Sequence, residues 1–98
     1  MYSTAQLMWF CRHKSFLYDR LPKGDAVFDP LTGETHFLSV LPAMVLEAVN
    51  EAPQTTERIA HSLGDPADFD AAAMKKVADA LRYLERAEIV ESGYFPQI

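Results

Sequence analysis

Between Leu38 and Leu41 the apolar residues change their spacing, and this one switch constrains the fold more than any other feature. Before it, Ala26-Val27-Phe28-Asp29 reads as a strand of β-branched and aromatic residues. Pro30-Leu31-Thr32-Gly33 reads as a turn, with proline presetting φ and glycine accepting φ > 0. Glu34 to Leu38 is the returning strand of a β-hairpin. Period two places Thr35 and Phe37 on one face and His36 and Leu38 on the other. After the switch, Leu41, Val45, Leu46 and Val49 recur at helical spacing from Ser39 or Val40 to Asn50. Ser39 is the candidate N-cap, and Pro42 is tolerated in a first turn.

The flanking segments extend this plan. Tyr2 to Phe10 is apolar without a clean period, and reads as a short strand or an arm, with Trp9 and Phe10 covering one edge of the core. Ser15 to Leu21 is a further strand, and Pro22-Lys23-Gly24-Asp25 a turn. A short second helix begins at Thr55 or Thr56, buries Ile59, Ala60 and Leu63, and stops at Gly64 before Pro66. The third helix is expected from about Asp68 to Ala87, capped by Asp68 or Asp70. Its apolar stripe is Met74, Val77, Ala78, Leu81 and Leu84. In the tail, Ile89-Val90 and Tyr94-Phe95 predict a short strand that closes a wing. The expected fold class is α+β, a winged helix-turn-helix: an N-terminal β-hairpin or three-stranded sheet, then three helices. Ninety-eight residues, 49% hydrophobic, make one domain.

Net charge is −5, unevenly spread. Through Gly24 there are four basic residues and one acid; from Asp25 onward there are five bases and thirteen acids. An acidic body repels a phosphate backbone. The third helix region, Asp68 to Glu88, holds Lys75, Lys76, Arg82 and Arg86 against five acids, where a DNA reader needs a clear basic face. Cys11 is the only cysteine, which excludes an internal disulfide and fits a reducing compartment. With no targeting segment and no long apolar run, the expected location is the cytoplasm and no membrane partner is expected.

Catalytic chemistry finds little support. His13, His36 and His61 lack metal-ligand spacing, and the isolated glycines make no phosphate loop. Cys11 with a histidine would still need an orienting group and an oxyanion loop. No cofactor, metal or enzymatic activity is expected. His36 is expected to be half-buried, bonded to Asp29 or to a backbone carbonyl.

Val27 to Ala43, V-F-D-P-L-T-G-E-T-H-F-L-S-V-L-P-A, resembles the PqqD-like family of small peptide chaperones, in the branch associated with a relative of HPr kinase. The matching positions are Asp29, Gly33, Thr35, His36 and Leu38. The T-T-E-R-I-A start at Thr55 and the L-R-Y-L-E-R-A-E-I-V ending at Leu81 to Val90 look like the family's second and third helices, so the resemblance covers roughly Leu7 to Glu91. It implies a recognition element for ribosomally made, modified peptides. A leader segment of the precursor would add as a strand beside Glu34–Ser39, in a groove next to the third helix, and be presented to a modifying enzyme. Mapped onto this sequence, the peptide-binding residues are Thr35, His36, Phe37, Leu38, Lys75, Val77, Leu81 and Arg82, with Lys76 an alternative to Lys75. The competing readings are a winged-helix DNA-binding module and a protein–protein or dimerisation module. A homodimer would use the exposed edge or the apolar ends at Trp9, Phe10, Tyr94 and Phe95.

Overall fold

The computed structural model describes residues 4–64 and 71–97. The elements are β1 (Thr4–Cys11), β2 (Leu17–Leu21), β3 (Gly24–Asp29), β4 (Glu34–Leu38), α1 (Val40–Glu51), α2 (Thr56–Leu63), α3 (Ala71–Arg86) and β5 (Val90–Gln97). The architecture is α+β, with an antiparallel sheet in the order β2-β3-β4 followed by three helices. The tail strand β5 finds its partner at the other end of the chain: it pairs antiparallel with β1, making a separate two-stranded ribbon. The expected start of the third helix at Asp68, its caps Asp68 or Asp70, and the break at Pro66 lie outside the described residues.

The β3–β4 turn follows from its residue types. The Gly33 amide donates to the Asp29 carbonyl (2.8 Å), and the Leu31 amide donates to Asp29 Oδ1 (2.9 Å). Asp29 thereby caps its own turn. Gly33 adopts φ +78°, a conformation glycine takes without steric cost. At the start of β3, Gly24 has φ +138°, and a Cβ there would lie 1.8 Å from the Leu38 carbonyl oxygen. Only glycine fits where β3 passes the end of β4.

The helices begin and end by different means. Ser39 occupies the N-cap of α1, but its side chain makes no capping bond. Thr55 does cap α2, its hydroxyl oxygen accepting from the Arg58 amide (3.2 Å). Gly64 ends α2 in extended backbone, so its access to positive φ is not used. At the end of α3 the Ile89 amide donates to the Leu84 carbonyl and the Glu88 amide to the Glu85 carbonyl, both at 3.0 Å. This paired closure needs a left-handed residue, and Glu88 supplies it at φ 62°. Ile89 and Leu84, the apolar pair that accompanies such a stop, are both fully buried. The core joins them to Val27, Val45, Leu46, Val49, Ile59, Leu81 and Val90.

The link between β1 and β2 is pinned to the hairpin. His13 Nδ1 accepts from the Ser15 amide (3.0 Å), so the neutral ring carries its proton on Nε2 and donates to Asp29 Oδ1 (3.0 Å). The imidazole also stacks on Phe16, with centroids 4.0 Å apart. Burial alone pushes the Asp29 carboxyl up; the Leu31 amide, His13 and the Thr32 amide outweigh it and hold the group below its ordinary value of 3.8.

Two outcomes are expected. Glu88→Gly removes a left-handed non-glycine residue and should stabilise the fold by about 1 kcal/mol, read as a higher denaturation midpoint at unchanged slope. Because the folded pKa of Asp29 is depressed, its carboxylate contributes stability above the unfolded pKa and loses it as pH falls through the folded value. Asp29→Asn should therefore be less stable than the parent at pH 7, and the difference should close once the pH drops below the carboxylate range. A constant gap from pH 7 to pH 2 would contradict this assignment.

Candidate functional site

Strand edges are the first places to look, because an unpaired edge offers backbone N–H and C=O groups to any strand that approaches. Among the described residues, β1 is covered at one point on its free side: Trp9 and Gln54 exchange backbone bonds of 2.8 and 3.0 Å. β5 carries Pro96, which lacks an amide to donate. β2 is short, exposed throughout, and bears Asp19 and Arg20. β4 reads Glu34-Thr35-His36-Phe37-Leu38 and has neither proline nor lysine. β2 is equally short and equally free of proline and lysine, so β4 is the less protected edge only in bearing one full charge, Glu34, against two on β2.

The structure divides the residues expected at the site. Thr35 and Phe37 lie on the sheet's outer face, where Thr35 pairs with Phe28 and Phe37 with Ala26. Phe37 is 72% exposed. Leu38 faces inward and is part of the core. His36 also faces inward, half-buried opposite Val27, with Nε2 3.4 Å from Glu34 Oε2. The expected bond from His36 to Asp29 is not formed. The Asp29 oxygen is taken by Leu31 and by His13, which the β1–β2 link brings across the sheet end.

On α3, Val77 and Leu81 are buried, Leu81 completely, so they hold the helix against the core and have no surface to offer a guest. Lys75 and Arg82 are exposed. Lys75 Nζ donates to Asp79 Oδ2 (2.8 Å). That bond holds the Asp79 carboxyl below its ordinary range, with Arg82 adding to the effect. The main packing partners of α3 are α1, α2 and β5, whereas β4 packs on β3 and α1. The site residues on β4 and those on α3 are therefore not gathered into one closed pocket. Lys75 is already paired with an acid, which weakens any basic face on this helix.

Sequence reasoning missed a trough between β2 and α1. A cavity of about 360 Å³ lies there, lined by Arg20, Leu21, Asp25, Val40, Met44 and Glu47 among others. The Arg20 guanidinium spans it, 3.2 Å from Glu47 and 3.8 Å from Asp25. The Arg20–Glu47 pair is exposed on both sides and contributes little stability, whereas Asp25 is buried and faces the same guanidinium. Nothing local marks the trough: Arg20 and Glu47 are 27 positions apart and meet only because α1 packs on the inner side of the sheet, against β3 and β4.

The remaining reactive groups are quiet. Burial pushes the Cys11 thiol up, against a smaller opposing effect of Lys14, which disfavours the nucleophilic thiolate. Burial, with Cys11 and Asp25 adding, raises the Tyr18 phenol to about 12. Among the described residues, no group of three or more His, Cys, Asp or Glu gathers where a metal ion could sit, and no helix is long and apolar enough to cross a membrane. Set against protein-family models, curated proteins and solved structures, the chain matches none of them.

Proposed function

We propose that this protein is a PqqD-like peptide-binding module of winged-helix type, without catalytic activity of its own. It takes up the leader segment of a precursor peptide by strand addition along β4 and presents it to a modifying enzyme. The observation that carries this reading is the less protected β4 edge, which lies in the segment whose Asp29, Gly33, Thr35, His36 and Leu38 resemble that family.

The physical roles divide by backbone and side chain. Backbone groups of β4 supply the bonds to the guest strand, and side-chain pockets set its register. Guest residues on the outer side lie beside Thr35 and Phe37; those on the inner side lie beside His36. Leu38, Val77 and Leu81 act from the core, keeping β4 and α3 in place. Lys75 and Arg82 lie on α3, which is not a main packing partner of β4, so they would act on an acidic leader only by attraction as it approaches. Ion pairing on an exposed helix face affects association rate more than final affinity.

The test is amide hydrogen exchange by NMR, using synthetic leader segments of precursor peptides encoded beside the gene. Binding should protect amides within Glu34–Leu38 and leave β2 and β5 unchanged. Protection confined to β2 or to the trough beneath it, or none with any peptide, would remove β4 as the acceptor. Arg82→Glu should slow association of an acidic leader several-fold at low salt and have little effect at high salt.

A further inference from the structure

The β2-β3-β4 sheet is built with its polarity reversed. An antiparallel sheet with one face on the core normally turns apolar residues inward and polar ones to water. Here the inner face carries Arg20, Asp25, Asp29, Glu34 and His36 beside Tyr18, Val27 and Leu38. The register puts Leu17, Leu21, Ala26, Phe28 and Phe37 on the outer face, with Asp19 its single charge. Leu17 is 61% exposed and Phe28 37%. Scattered exposed apolar residues are ordinary, but a contiguous patch across three strands marks a contact surface.

We infer that this outer face docks an amphipathic helix of a partner protein, one whose apolar stripe is flanked by a basic residue. The inference uses the face of the sheet and not the β4 edge, so it stands independently of the strand-addition reading. Charge selects the occupant. Three strands of five residues present a face of about 14 by 17 Å, on the order of 240 Å². Packing two such faces together would bring two Asp19 carboxylates onto one apolar interface, where like charges are disfavoured. Two chains of charge −5 also repel. A helix about 10 Å across covers the face in roughly three turns.

Charge selects the helix further. Asp19, Ala26 and Phe37 form one cross-strand row, while Leu17, Phe28 and Thr35 form the next. A helix laid over Leu17, Phe28 and Phe37 brings its flank past Asp19, where a lysine or arginine is favoured and an acid is repelled.

The experiment is a fluorescence-anisotropy titration with a labelled peptide of about 14 residues, roughly four turns, patterned with Leu at helical spacing and Lys on the flank. The control has the same composition at strand spacing. The helical pattern should bind more tightly, and Leu17→Ser should weaken it by about tenfold, the order expected for losing a large apolar contact. Leu17 is on β2, two strands from the β4 edge, so this loss is separable from failure of strand addition. Its exposure makes the serine variant tolerable to the fold, which the denaturation midpoint verifies. Asp19→Lys should shift the preference to a peptide with Glu on its flank. Equal binding of both patterns, or binding indifferent to Leu17→Ser and Asp19→Lys, would overturn the inference. So would a concentration-dependent dimer abolished by Leu17→Ser, because that would seat a second copy on the face.

Discussion

Trp9 fastens together three parts of the chain. Its indole Nε1 donates to the Thr56 hydroxyl (3.0 Å), at the start of α2. Its backbone exchanges bonds with Gln54, in the link between α1 and α2. Its position in β1 pairs with Ser92 in β5, on a strand that begins only after α3 has stopped. An indole buried with its N–H satisfied is a large apolar anchor with a fixed direction. The stop at Glu88 makes this possible: it turns the chain so that Ile89 and Val90 enter the core and β5 returns along β1. Beyond this anchored end the ribbon leaves the core, and Ala5 to Leu7 and Tyr94 to Pro96 are exposed.

The other organising constraint is electrostatic. Asp25 and Asp29 are buried polar residues on the inner side of the three-stranded sheet. A buried carboxylate is tolerated only with partners. Asp29 has the Leu31 amide and His13; Asp25 faces the Arg20 guanidinium. Leu31 is local to the β3–β4 turn, but Arg20 comes from β2 and His13 from the β1–β2 link, so the first part of the chain is needed to satisfy acids of the hairpin. The unequal charge along the sequence has the same origin: part of its basic start lies against acids of the later segments, as Arg20 lies against Glu47.

Local rules made much of the fold legible. The D-P-L-T-G turn, the change of period at Ser39, the start of the second helix at Thr55 or Thr56 and the stripe containing Val77, Leu81 and Leu84 each signal themselves within a few residues. What was not legible depends on distance. Nothing near Tyr94 announces Leu7, its partner across the ribbon. His36, adjacent to the hairpin motif, was the natural partner for Asp29, yet His13 takes that place because the chain folds back over the sheet end. Periodicity showed that Val77 and Leu81 share a face but not how deeply that face is buried, and both turn out to belong to the core. The reversal of the sheet follows from the same limit. Period two correctly put Phe37 opposite in sense to His36, but only the packing of α1 decides which of those faces is covered.

The edge and the face of this sheet share one side chain, Phe37, and that sharing has a thermodynamic consequence for the two proposals. A strand added to β4 lies one strand spacing, about 4.8 Å, beyond Phe37 and carries its own outward residues onto the same face. The apolar platform then grows from three strands to four, and a helix docked across it gains contact area from the guest. If the guest's outward residues are apolar, each ligand strengthens the other, and by linkage the factor is the same in both directions. If they are charged, the coupling reverses sign for the same reason. Under the two proposals together, loading with a peptide of the right alternation would favour the partner with no change of shape, since the guest itself would complete the discriminating surface.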